Sequence, residues 1–276
     1  LGRIGLAMNV GSGSVVGACL GLFFILLIFR PKLGEMTLSK SWAALAGAGT
    51  SSLWLIFQSF ALMGGMLLLQ SMVNRHYGLT VLGHYTAELL VVDTAVMVIM
   101  SSARSQILPT LGRLEDSTAK GVFFSRLFLI QLTANTFAAI ALVFGARLIL
   151  RILFSDTLAE GADFLAVLGV SLVGHSLVWS CNTLLLHKGD VRTFVFLDTS
   201  WMAFLLLASA IAVRLALPPV WVAWVYTVSS LISGTLYVCA VGYKYRGEFI
   251  SARLVSHAVL SLILVLSSYG LSRGGW

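Results

Sequence analysis

Asp93 and Arg104 both stand inside one long apolar run, about residues 83–107, where charge is least expected. At about 100° of rotation per residue, a helix would bring them to within about 20° of one face. Thr86 and Ser101 fall near the same face. A charge at the centre of a bilayer costs about 2.5–3.5 kcal/mol on insertion scales, so it turns toward a bundle interior or a water-filled cavity. A carboxylate in such a place is suited to binding a proton or a cation. His84 and Glu88, one helical turn apart near the start of the run, have the spacing of an ion pair or a proton relay. Arg104 and Arg126 flank a short connection. Two converging guanidinium groups match a phosphate or pyrophosphate through paired, charge-assisted hydrogen bonds. The competing reading is that both arginines snorkel to the membrane interface.

Other polar groups recur at membrane depth. Gln58 lies near the middle of its run. Gln131 and Asn135 share a face, as do Ser171, His175 and Asn182, and Asp198 stands a short way into the next run. Each alone is explained by interhelical hydrogen bonding, worth about 0.6–2 kcal/mol. Polar stripes on four consecutive helices are better explained by a hydrated central cavity. The candidate substrate-binding residues are therefore Arg104, Arg126, Gln58, Gln131, Asn135, His175 and Asn182. Asp93, Glu88 and Asp198 are the candidates for coupling to a proton or a sodium ion.

No catalytic set accompanies them. Walker A, GxSxG, HExxH and paired CxxC motifs are all absent from the sequence, and no polar stretch is long enough for a soluble catalytic domain. Cys19, Cys181 and Cys239 fall inside apolar runs and have neither a disulfide nor a zinc spacing. The reading is of a protein that is not an enzyme and has no metal or organic cofactor.

The elements that must hold these residues are membrane helices. Of the 276 residues, 58% are hydrophobic and 11% charged. Eight apolar runs are expected to cross the bilayer, at about 5–29, 46–70, 83–107, 123–149, 162–186, 192–215, 218–243 and 254–272. A crossing needs roughly 20 apolar residues, and the runs are continuous rather than alternating, which excludes a barrel. The fold class expected is all-α, a polytopic helix bundle. Pro31 and Pro109 follow expected spans, and Pro218 and Pro219 open the seventh, as suits a residue without an N–H. In the first run, Gly5, Asn9, Gly13, Gly17 and Gly21 form a small-residue stripe suited to close helix packing.

Twelve of the 18 Lys and Arg residues lie on the side of the odd-numbered connections and six on the other, which places the odd-numbered connections in the cytoplasm. The net charge of +7 is then a topology signal, and no basic soluble domain exists to bind nucleic acid. Both termini would face outward. The chain starts Leu-Gly-Arg, with no signal-peptide n-region before the first run. The expectation is a fragment whose earlier helices lie elsewhere.

The segment Leu82-Gly83-His84-Tyr85-Thr86-Ala87-Glu88, followed by Ile107-Leu108-Pro109 and Leu111, resembles a recurrent segment of the Wzx-type polysaccharide flippases. These belong to the multidrug/oligosaccharidyl-lipid/polysaccharide exporter superfamily. Ile152-Leu153-Phe154, then Ala162-Asp163-Phe164-Leu165, and the loop Lys188-Gly189-Asp190 are similar to later junctions of that family. The resemblance covers about 45–245. Ser155 and Glu88 depart from the family pattern. The resemblance implies a MATE-like second lobe around a central cavity that opens alternately to each side. It divides the chain into 1–41, the last helix of a first lobe with its linker, 42–247, a six-helix second lobe, and 248–276, an additional crossing. It further implies a transporter of undecaprenyl-pyrophosphate-linked oligosaccharide in the bacterial inner membrane, serving O-antigen, capsule or exopolysaccharide synthesis. Its expected partners are the lipid-linked oligosaccharide, membrane lipids, the remaining first-lobe helices and a polysaccharide polymerase complex. The alternatives are a multidrug or cation antiporter of the same superfamily and a non-transporting scaffold of a glycan assembly complex.

Overall fold

A computed structural model describes residues 38–114, 116–154, 156–245 and 252–274. The expected run at 5–29, with its glycine stripe, lies outside the described residues, as does the side chain of Arg104. Among the described residues there is no strand. The helices in chain order are α1 (Leu38–Arg113), α2 (Ser117–Leu153), α3 (Asp156–Ala159), α4 (Ala162–His187), α5 (Val191–Arg214), α6 (Val220–Lys244) and α7 (Ala252–Gly274). Six of them, all but the four-residue α3, are long and apolar enough to cross a membrane. The chain therefore reads as a multi-pass membrane protein.

Helices α4, α5, α6 and α7 fall close to the expected runs. α2 begins earlier than expected, at Ser117, because the Asp116 side chain caps it, accepting hydrogen bonds from the Thr118 and Ala119 amides at 3.2 and 3.1 Å. The runs expected at 46–70 and 83–107 are the two arms of α1, two helices that meet at a kink. The α1 backbone leaves helical geometry at Gly78 (φ 86°, ψ 173°). Residues 71–82, read as a connection, contain no proline and keep helical hydrogen bonding on both sides of that break. Glycine reaches this region of φ without a Cβ clash. The arms 50–77 and 79–101 each exceed the roughly 20 residues of a crossing. Pro109 also lies inside α1 rather than beyond it, near its end at Arg113.

By contacts the chain divides into residues 1–52 and 53–276. In the second unit, α4 is the central helix. Its apolar window is 78% buried, against 11–44% for the other candidate spans. An apolar helix covered on all sides belongs in the middle of a bundle. α4 packs on α2 and α6, with α5 and α7 also touching it. The α4–α6 contact is close. A Cβ on Gly174 would overlap the Ser230 backbone, and one on Gly234 would lie 2.9 Å from the Gly174 carbonyl oxygen. Ser230 Oγ donates to the Ser171 carbonyl at 3.2 Å and Thr227 Oγ1 to the Val167 carbonyl at 2.9 Å. Small residues let the backbones approach, and hydroxyls bond across the gap.

The outward faces are apolar. Phe57, Phe60 and Met63 on α1, Ile130, Phe137 and Phe144 on α2, and Phe196 and Leu207 on α5 are exposed. In water such a surface would drive aggregation, whereas acyl chains solvate it.

Candidate functional site

Between the two arms of α1 and helices α4, α5 and α6 lies a recess of about 420 Å³. That is within the size range of small-molecule sites and leaves room for on the order of ten waters. Gln58, Leu62 and Met66 face it from the first arm, and Asp93, Val96 and Met97 from the second. α4 contributes His175, Val178, Trp179 and Asn182; α5 contributes Phe194, Asp198, Trp201 and Met202; α6 contributes Tyr226, Ser230 and Ser233. Five of the ten sequence-derived site residues therefore meet in one place: Gln58, Asp93, His175, Asn182 and Asp198.

Their local bonding differs. Asp198 is fixed from two sides, accepting from Gln58 Nε2 at Oδ2 (2.6 Å) and from the Tyr237 hydroxyl at Oδ1 (2.6 Å). Tyr237 Oη also lies 3.2 Å from the Phe194 carbonyl oxygen. This carboxylate ties the first arm of α1 to α5 and α6. The His175 Nε2 is 3.1 Å from the Tyr226 hydroxyl, and the His175, Trp201 and Tyr226 rings cluster with centroids 5.7–6.4 Å apart. Asp93 is exposed toward the recess. Asn182 Oδ1 and Trp201 Nε1 are buried without a hydrogen-bond partner. Both atoms belong to residues that line the recess, and their hydrogen-bonding capacity is unmet.

Four of the others, Gln131, Asn135, Arg126 and Glu88, lie elsewhere. Gln131 accepts from Ser180 Oγ through its side chain at 2.7 Å, and its backbone carbonyl accepts from Asn135 Nδ2 at 3.0 Å. Both are buried at the α2–α4 contact, away from the recess lining. Arg126 is exposed on α2, outside the recess. The Arg104 side chain falls outside the described residues. Glu88 is fully buried beside His84, with Gly161 against both. No group of three or more His, Cys, Asp or Glu side chains able to hold a metal occurs among the described residues.

Sequence reasoning missed the aromatic lining. Trp179, Trp201 and Tyr226 read as ordinary apolar positions, since an aromatic in a membrane span gives no sign of which way it faces. One signal was available. Trp179 and Trp201 lie well inside their spans rather than at the interfacial ends that tryptophan favours.

Comparison of the chain with protein-family models, with curated proteins and with solved structures yields no match.

A separate polar knot closes the other end of α4. Gly189 takes a left-handed φ of 72°, letting Asp190 N–H bond back to the Leu185 carbonyl at 2.8 Å. Asp190 then accepts from Lys244 Nζ at 2.5 Å and from Thr193 Oγ1 at 3.0 Å. Partial burial works to raise the Asp190 carboxyl, but these two hydrogen bonds and the Lys244 charge outweigh it and hold the group below its ordinary range.

Proposed function

We propose that this chain is part of a membrane transporter that moves an undecaprenyl-pyrophosphate-linked oligosaccharide from the inner to the outer leaflet of a bacterial inner membrane, for O-antigen, capsule or exopolysaccharide synthesis. The supporting observation is the recess itself. It gathers two carboxylates, two carboxamides, an imidazole and two indoles among apolar helices whose outer faces suit lipid. Sugar hydroxyls need donors and acceptors of this kind, and sugar C–H faces stack on aromatic rings. The recess would shield the glycan from hydrocarbon while the polyprenyl tail stays in the bilayer. The similarity of residues 82–111 to the Wzx-type flippases points the same way.

The test is translocation in proteoliposomes, read by the access of an external glycosidase to lipid-linked oligosaccharide. Vesicles containing the protein should expose the glycan faster than protein-free vesicles. The double variant Asp93→Ala/Trp201→Ala should lose at least about tenfold in rate, corresponding to about 1.4 kcal/mol. An equal rate in that variant at equal incorporation would remove the recess from the transport path.

A second reading, a cation antiporter, is favoured by one specific observation. Two carboxylates, Asp93 and Asp198, line the recess, and no lysine or arginine does among the described residues. A lipophilic cation in the same vesicles separates the two. Under the glycan reading it neither crosses nor competes.

A further inference from the structure

Glu88 is at 0% exposure, and neither of its carboxyl oxygens has a hydrogen-bond partner. His84, one turn earlier on α1, has its Nδ1 3.8 Å from Glu88 Oε1, and that nitrogen is also buried without a hydrogen bond. The neighbouring Tyr85 hydroxyl is buried and unpartnered as well. Gly161, the N-cap residue of α4, lies directly over the pair. A Cβ there would overlap both Glu88 Oε1 and His84 Nδ1.

The charges around this pocket are mostly of one sign. Asp163, in the first turn of α4, acts on Glu88 as a second negative charge. Glu160 adjoins Gly161 in the preceding turn. The nearest arginines of α2, Arg147 and Arg151, line a surface hollow with Asp156 and Glu160, and Arg151 is bonded to Asp156. Arg151 is thereby neutralised at the surface. An ionised Glu88 would thus be a buried anion with no hydrogen-bond donor and a like charge nearby, the arrangement that costs a carboxylate most. One proton resolves it. A neutral Glu88 hydroxyl can donate to His84 Nδ1, with a contraction of under an ångström into normal range. The imidazole N–H then sits on Nε2.

We propose that Glu88 and His84 form a one-proton site covered by Gly161, and that this proton is the ion exchanged during transport. The second half of that statement rests on the transport reading above; the site itself does not. The site holds its proton while the 156–161 turn covers it. When Gly161 moves off, water reaches the carboxyl group, the proton leaves to the aqueous phase, and Glu88 remains as a hydrated anion. Nothing is oxidised or reduced. Because Glu88 departs from the flippase-like pattern of the surrounding segment, the assignment belongs to this chain.

The test is infrared difference spectroscopy on the full chain in lipid nanodiscs, stepped in pH. The wild type should show a protonated-carboxyl band that disappears as pH rises. Glu88→Gln, which mimics the neutral acid and keeps its shape, should lack that band. His84→Gln should shift its midpoint. Gly161→Ala, which uncovers the pair, should move the band toward the frequency of a hydrated acid. Persistence of the band in Glu88→Gln, or a band insensitive to pH, overturns the site. Displacement of the band by sodium at fixed pH also overturns it, in favour of a sodium site.

Coupling is read separately in proteoliposomes. A pH gradient should speed glycan translocation severalfold in the wild type and leave Glu88→Gln unchanged. An equal response in both proteins overturns the coupling. A normal spectrum without any translocation in the wild type overturns the transport reading and leaves the proton site standing.

Discussion

Asp190 shows how single side chains fix helix ends here. Its carboxylate collects Lys244 Nζ and Thr193 Oγ1, while the Lys188 ammonium sits 5.6 Å from the centroid of the Tyr245 ring. The 188–190 turn is thereby fastened to the end of α6. Because the folded-state carboxyl titrates below its ordinary range, its contribution is present above about pH 4 and fades as pH falls through the lowered value. Lys244 is 47% exposed, so solvent screening limits the pair to about 1 kcal/mol. Lys244→Met should speed hydrogen exchange in the 188–190 turn about fivefold at pH 7, following that energy, and progressively less as pH falls below about 4. An effect that does not change with pH would mean that packing by the lysine stem, rather than its charge, holds the turn. Asp198 illustrates the opposite use of a carboxylate. Both of its oxygens are occupied by Gln58 and Tyr237, so it serves first as a tie between α1, α5 and α6. Asp93, by contrast, faces the recess directly and is the better placed of the two to meet a ligand.

At the scale of elements, the α4–α6 contact sets the width of the recess, since these helices carry His175, Asn182, Tyr226 and Ser230 on its wall. Gly174 lies against Ser230 and Gly234 with no space for a side chain. Gly174→Leu should therefore wedge the two helices apart, destabilising the bundle by about 1–3 kcal/mol, with a lower thermal midpoint in detergent. Gly64→Leu, at a position with open space around it, is the matched control and should leave the midpoint near the wild-type value. Equal loss in both variants would contradict the tight α4–α6 interface. The spans themselves were largely legible in the sequence, because apolar length is a strong signal and lipid permits few alternatives. The abruptness of the break inside α1 was not. Residues 71–82 carry Asn74, Arg75 and His76, and polarity there read as a loop, yet none of these residues prevents helix formation. Only the backbone at Gly78 marks the break. The polar stripes of α4 and α5 were legible through their spacing. Gln131 and Asn135 have the same kind of spacing but serve the α2–α4 contact, since periodicity tells which residues share a face and not what that face meets.

At the largest scale, residues 53–276 combine apolar outward helix faces with a recess between α1, α4, α5 and α6, and α4 is the most buried of their spans. A sealed scaffold would leave no open volume beside its polar groups. Here Asp93 is exposed toward a volume that Gln58, His175 and Asn182 also line. The central claim is that water and a polar ligand enter this space from the aqueous phase. It is tested most directly by single cysteines at positions 93, 179 and 201, and at the lipid-facing positions 137 and 207, in a protein whose Cys19, Cys181 and Cys239 are replaced by alanine. Labelling with a membrane-impermeant maleimide in intact vesicles should modify 93, 179 and 201 and spare 137 and 207, with lipid-linked oligosaccharide slowing the reaction at 201. Failure of all three recess positions to react, or labelling of the recess and lipid-facing positions at the same rate, would contradict the account.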